Sequence, residues 1–208
     1  MSPEPQGAAA FGLNSGTRLF RVHKKYRGST EFNPEPAHRR VRHGRFDSSE
    51  HDGYSFYYAA LSERGAVYET LVSEAGLATG APVPRSGLED LVMSTVELTR
   101  SVSLVSLLSA DDLARVNQDS WLVRARPNEY HLTRQQASLI RSQYLWGEGL
   151  IWYSRKEPEE RSLVLFGDRC GADTVRTIGP GPVALDSSAA AGWLAQLLEP
   201  HALGENDP

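Results

Sequence analysis

Polar and apolar side chains alternate along Arg18-Leu-Phe-Arg-Val-His23, the period of a strand with one buried face. The aromatic run Ser55-Phe-Tyr-Tyr-Ala-Ala60 predicts a second strand, and Met93 to Leu98 and Val102 to Leu108 predict two more. Gly149-Leu-Ile-Trp-Tyr-Ser154 and Ser162-Leu-Val-Leu-Phe166 are short apolar runs separated by a charged, hairpin-like segment. Helical signals lie between them. Ser62 has the chemistry of an N-cap ahead of a helix from Glu63 to Glu74 that stops at Gly76. At about 100° per residue, Ala66, Val67, Tyr68, Leu71, Val72 and Ala75 share one broad side, with Glu69 at its edge. A short helix opens at Ala110-Asp-Asp-Leu and ends near Asn117. Thr133 reads as the N-cap of another that reaches Tyr144, and Ser188 to Leu198 reads as a C-terminal helix.

Residues 24–53 break this rhythm. They are rich in Gly, Pro, Ser, Asp and charge and have few apolar anchors, which predicts a long loop of the kind that often carries function. Residues 77–87 form a shorter one. Residues 1–16 read as a flexible arm and 204–208 as a tail, leaving one domain over 17–203. Strands and helices intermingle without strict βαβ repetition. The predicted class is therefore α+β, a mixed α/β arrangement of central sheets flanked by helices.

Composition narrows the chemistry. Of 208 residues, 40% are hydrophobic and 23% charged, a globular balance that excludes wholesale disorder. The net charge of −4 argues against sequence-independent binding to nucleic acid or anionic lipid. A single cysteine, Cys170, allows no internal disulfide and no cysteine-based zinc site. No apolar run reaches the ~18 residues of a membrane span, and MSPEPQGAAAFG has neither the basic nor the apolar region of a secretion signal. The expectation is a soluble cytoplasmic protein. Phosphate-loop, dinucleotide-fingerprint, zinc-protease and nucleophile-elbow motifs are absent.

Three features can carry chemistry. His38-Arg-Arg-Val-Arg-His-Gly-Arg45 places four arginines in eight residues, which fits either a solvated loop or a grip on phosphate by bidentate contacts. Tyr57, Tyr58 and Glu69 are either strand aromatics with a surface carboxylate or the edge of a cleft. In a cleft, an aromatic face stacks on a planar ring and a carboxylate stabilises a developing cation. Ser154 either caps a strand end or presents a hydroxyl to that cleft. The residues alone leave each pair of readings open.

Taken in order, several segments resemble the RES-domain family. They are Leu19-Phe-Arg-Val-His23, Phe32-Asn-Pro34, Gly44-Arg-Phe-Asp47, Tyr58-Ala-Ala60, Ala66-Val-Tyr-Glu-Thr-Leu71, Glu148-Gly-Leu-Ile-Trp-Tyr-Ser-Arg155 and Ser162-Leu-Val-Leu-Phe-Gly167. The set covers most of residues 17–168. The resemblance implies a fold similar to that of ADP-ribosyltransferases and diphtheria toxin. It also implies a role as the toxin of a type II toxin–antitoxin pair that degrades NAD+, by hydrolysis or by phosphorolysis. By the same correspondence Arg45, Glu69 and Ser154 are the expected catalytic residues, Tyr58 lines the nicotinamide pocket, and Arg21 is an additional NAD contact. NAD+ is substrate rather than cofactor, inorganic phosphate is a candidate co-substrate, and no metal is required. The implied partner is an antitoxin of helix-turn-helix type that covers the site, with a homo-oligomer inside the complex as a further expectation. Phe46-Asp47 and Tyr153-Ser-Arg155 depart from the commonest family pattern of Trp-Asn and Pro-Ser-Ala, which leaves the acceptor open. The alternatives are an ADP-ribosyltransferase acting on a protein, and a ligand-binding domain without catalysis.

Overall fold

A computed structural model describes residues 7–34, 44–73 and 82–199. Among these, nine strands form one sheet. They are β1 (Ala10–Leu13), β2 (Arg18–Lys24), β3 (Phe56–Ala60), β4 (Leu91–Leu98), β5 (Val102–Leu107), β6 (Gly149–Tyr153), β7 (Arg161–Phe166), β8 (Val175–Thr177) and β9 (Val183–Ala184). The strand order is β1-β5-β6-β7-β3-β2-β4-β8, with β9 also on β4. The β5–β6 pair is parallel and the others are antiparallel, so the sheet is mixed. The central join is narrow. Strands β2 and β3 share the single register pair Phe20↔Ala60, whereas β2 and β4 pair over seven positions. The sheet therefore has two lobes joined along β2–β3.

Helices cover it on two sides. The helices are α1 (Glu63–Val67), α2 (Ala110–Arg115), α3 (Trp121–Arg124), α4 (Tyr130–Gln143), α5 (Gly167–Cys170) and α6 (Ser188–Leu198). Alternation along the strands sorts the core into three parts. Phe56, Trp152, Val164 and Phe166 pack against Leu113, Leu122, Ala137 and Ile140 of α2, α3 and α4. Tyr57, Ile151, Leu163 and Leu165 point the other way and meet Leu19, Val96 and Leu98 of the second lobe. Phe20, Val22 and Met93 pack under α1 and α6 with Val67, Leu71 and Leu194. Burying a large apolar side chain stabilises by roughly 1.5–3 kcal/mol, so these three layers are the main source of rigidity.

The mixed class and single domain match the expectation, as do the strands read from period-2 alternation and the C-terminal helix. Four details differ. Ala10–Leu13, read as part of a flexible arm, is an edge strand pairing antiparallel with Val102–Val105 of β5. The helix begun by Ser62 is α-helical only to Val67 and continues as a π-helical turn over Tyr68–Ser73, and residues 74–76 lie outside the described residues. Helix α4 starts at Tyr130, so Thr133 is an interior residue and not its cap. Part of the long polar loop is fixed, since Asn33 and Phe56 exchange backbone hydrogen bonds at 2.8 and 3.1 Å.

Candidate active site

The site begins with a turn held by hydroxyl groups. Gly44 to Asp47 precedes β3. A Cβ on Gly44 would lie 2.5 Å from Asp47 Oδ1 and 2.8 Å from the Tyr58 oxygen, so only glycine fits. The Gly44 N–H donates to Asp47 Oδ2 at 2.9 Å. The Phe46 N–H donates to the Tyr58 oxygen at 2.8 Å, and the Phe46 carbonyl accepts from the Tyr54 hydroxyl at 2.9 Å. The Arg45 carbonyl accepts from the Thr133 hydroxyl of α4 at 2.7 Å. The Phe46 ring stands edge-on to Trp152 with centroids 4.8 Å apart. Burial pushes the Tyr54 phenol above its ordinary range, so it stays a neutral donor.

This turn delivers a buried guanidinium. Arg45 Nη1 donates to Glu69 Oε1 at 3.2 Å, and Nη2 sits 3.5 Å from the Tyr130 oxygen. The guanidinium carbon lies 5.4 Å from the Tyr130 ring centre. Arg45 Nε has no hydrogen-bond partner among the described residues. Glu69 projects from the π-helical turn whose neighbours Val67, Tyr68, Leu71 and Val72 are buried, and its side chain keeps 13% exposure. Its second oxygen, Oε2, accepts from the Ser154 hydroxyl at 3.0 Å. Ser154 is buried just past β6, its N–H donating to the Glu160 carbonyl at 2.8 Å. Arg45, Glu69 and Ser154 thus come from a loop, a π-helical turn and a strand end and meet in one contact group. A π-helical turn is rare and occurs frequently at functional sites. A carboxylate offers about four acceptor directions, so the two donors orient Glu69 and leave capacity for a ligand.

The RES domain profile matches residues 18–186. This chain belongs to the RES-domain family. Among solved structures, eight chains match. One is a chain of the M. tuberculosis MbcT–MbcA toxin–antitoxin complex, with 11% identity and a TM-score of 0.59 over 90% of this chain and 92% of that one. The likeness is one of fold. No curated protein sequence matches.

Within this RES domain the remaining expected residues fall in different places. Tyr58 adjoins the contact group. Its oxygen anchors the Phe46 N–H, and its ring meets Phe56 and Trp152 edge-on at 5.7 and 6.2 Å. Arg21 is not brought to Glu69. Neighbouring strand residues face opposite sides of a sheet, and Arg21 lies on the side of Tyr57, its guanidinium 4.1 Å from that ring. Its Nη1 donates to the carbonyls of Ser29 at 3.2 Å and Glu31 at 2.6 Å. Those contacts tie the 29–31 turn to the core around Tyr57. Of the arginine-rich run only Gly44 and Arg45 are placed. Residues 38–43 lie outside the described residues.

The site also draws on α4, which no sequence motif marks. Tyr130, Thr133 and Arg141 line its inner face and are buried. Arg141 Nε donates to Asp52 Oδ2 at 2.8 Å and Nη2 to Asp168 Oδ2 at 2.9 Å, with the guanidinium carbon 3.7 Å from the Tyr54 ring centre. It therefore locks residues 52–54 to α4, and Tyr54 in turn holds Phe46. Pro127, followed by Glu129 accepting from the Arg126 N–H at 2.8 Å, was the available signal that the helix begins earlier. Among the described residues no group of three or more His, Cys, Asp and Glu side chains could hold a metal, and no helix is long and apolar enough to cross a membrane.

Proposed function

We propose that this RES domain is the toxin of a toxin–antitoxin pair and that it cleaves the nicotinamide–ribose bond of NAD+. The observation that carries the reading is the Glu69 carboxylate, held at one oxygen by Arg45 and at the other by Ser154 in a largely buried setting. As the C1′–N bond breaks, its electron pair leaves with nicotinamide and neutralises the pyridinium. Positive charge grows on the ribose as an oxocarbenium ion. A pre-oriented carboxylate stabilises that charge without reorganising. Water or inorganic phosphate then adds at C1′, giving ADP-ribose or its 1″-phosphate. With water as acceptor, a proton is released to solvent.

The other residues divide the remaining work. Arg45 fixes Glu69 and offers its unpartnered Nε–H to a ribose or phosphate oxygen. Ser154 sets the carboxylate plane and lies within reach of the substrate amide or ribose. Tyr58 supplies an aromatic face for nicotinamide beside the same turn. The partner is a cognate antitoxin that covers the site. The M. tuberculosis neighbour, solved as a toxin–antitoxin complex, supports this reading.

The test is incubation of purified protein with NAD+, with and without phosphate, followed by product analysis. Free nicotinamide is expected. ADP-ribose as co-product marks hydrolysis and its 1″-phosphate marks phosphorolysis. No nicotinamide release by folded protein at micromolar concentration over hours would overturn the reading.

A further inference from the structure

The turn that carries Glu69 and the segment that carries Ser154 are joined at a second point besides the Glu69 carboxylate. Arg64 of α1 stands there. Its Nε and Nη2 donate to Glu157 Oε2 at 3.0 and 2.9 Å. Nη1 donates to the Leu197 carbonyl at 2.9 Å, and Nη2 to the Glu199 carbonyl at 2.6 Å and the Tyr68 oxygen at 3.1 Å. The guanidinium carbon sits 4.7 Å from the centre of the Tyr68 ring. The Tyr68 hydroxyl donates in turn to the Glu199 carbonyl at 2.7 Å.

One guanidinium therefore bridges three pieces of chain. Tyr68 immediately precedes Glu69 in the π-helical turn. Glu157 lies three residues past Ser154, in the segment between β6 and β7. Leu197 and Glu199 lie at the end of α6. The seam beneath the bridge is tight. A Cβ on Gly65 would lie 3.1 Å from Ala60 Cβ and 3.4 Å from Glu160 Cβ, so α1 meets the 154–160 segment at a residue without a side chain. Ser62 also donates its hydroxyl to the Glu160 carboxylate, and the Glu160 carbonyl accepts the Ser154 N–H at 2.8 Å.

The acceptors around Arg64 suit arginine alone. A guanidinium presents five donors in a rigid plane, whereas a lysine presents three on a flexible stem. A carboxylate, two carbonyls and a phenol in different pieces of chain are held together by the fork, and an ammonium would keep only part of the set. We propose that Arg64 is a positioning residue for the NAD+ cleavage proposed above. By fixing the π-helical turn to the 154–160 segment, it sets the contact between Ser154 and Glu69. The inference rests on that reading of the site.

The test is a double-mutant cycle on the full chain. Arg64→Lys keeps the positive charge and loses the fork. It should lower kcat by roughly tenfold or more, because misplacing a reacting group by a fraction of an ångström is that costly, and should leave KM unchanged. In a Ser154→Ala background the contact that Arg64 sets is already gone, so Arg64→Lys should change kcat by less than about twofold, the margin expected of coupled residues. Glu157→Ala cuts the same bridge from the other end and should repeat the pattern without altering α1. The same loss of kcat in both backgrounds would make Arg64 a merely structural residue and overturn the proposal. So would a raised KM at normal kcat. Hydrogen exchange reads the bridge without turnover. Arg64→Lys should speed exchange in residues 68–73 and 155–160 together, and loosening of one segment alone, or of neither, overturns the bridge. A wild-type chain that leaves NAD+ intact overturns the reaction, and the exchange measurement still decides whether Arg64 joins the two segments.

Discussion

The Ser154 hydroxyl donates to Glu69 Oε2 at 3.0 Å across 85 positions of chain, while Arg45 holds the other oxygen of the same carboxylate. A strand end and a π-helical turn are thereby joined through one acid. In the proposed reaction that acid acts on charge that exists only at the transition state. Glu69→Gln should therefore lower kcat by about 100-fold or more while KM changes little. Ser154→Ala, which frees one oxygen and leaves the charge, should lower kcat by a smaller factor. Steady-state kinetics of both variants check this, and a Glu69→Gln enzyme with near-normal kcat would remove Glu69 from the mechanism.

Arg45 has both a structural and a binding role. Arg45→Ala leaves the Glu69 carboxylate without its ion-pair partner, and breaking such a pair costs about 3 kcal/mol at the low end, where Glu69's remaining exposure places it. It also removes the Nε donor proposed to meet the substrate. The expected outcome is a lower melting temperature together with a KM raised at least about tenfold, the value of one charge-assisted contact. Thr133→Val serves as the comparison. It removes the 2.7 Å hydrogen bond to the Arg45 carbonyl, costs about 1–3 kcal/mol, and keeps the guanidinium. Calorimetry and kinetics on the two variants separate positioning of the turn from binding.

His23 gives the fold an acid-side weakness. Its ring is buried in β2, with Nε2 2.8 Å from the Ser94 hydroxyl oxygen, and burial first, then the Arg21 charge, lowers its pKa from the ordinary value. The unfolded chain protonates this ring near pH 6.5, whereas the folded chain resists until lower pH. Between those points the unfolded state binds more protons, so stability falls as pH drops below about 6.5. Thermal melts from pH 7.5 to 5.5 should show this loss, and His23→Gln should flatten it. An unchanged slope in the variant would assign the loss to other groups.

Cys170 should be chemically silent in the native protein. It is buried at the end of α5, its thiol donates to the Glu148 carbonyl at 3.3 Å, and burial pushes its pKa up to about 12. Thiolate, the reactive form, is therefore scarce at pH 8. Alkylation at that pH should be slow in the folded protein and fast in denaturant. Rapid native alkylation would mean that the α5 region opens easily.

The elements legible from the chain alone are those whose signals are local. Strands β2, β3, β6 and β7 follow from alternation or apolar runs, because a pleated backbone turns successive side chains to opposite faces. The start of α1 follows from Ser62, whose side chain accepts the Gly65 N–H, and α6 follows from its Ala- and Leu-rich run after Ser187. The family motifs around Arg45, Tyr58, Glu69 and Ser154 are equally visible as residue order. Tertiary structure decided what no local pattern encodes. Strand β1 exists because β5 offers it a ladder, since four residues with a glycine among them have little preference of their own. The chain past Val67 winds as a π-helical turn, which a wheel of uniform angle cannot anticipate. Tyr130 and Thr133 reach Arg45 from 85 and 88 residues away, and Arg21 is parted from Glu69 by which side of the sheet it faces. Spacing along a chain carries no information about such meetings. They are set when the sheet and α4 pack together and the buried donors and acceptors must find one another.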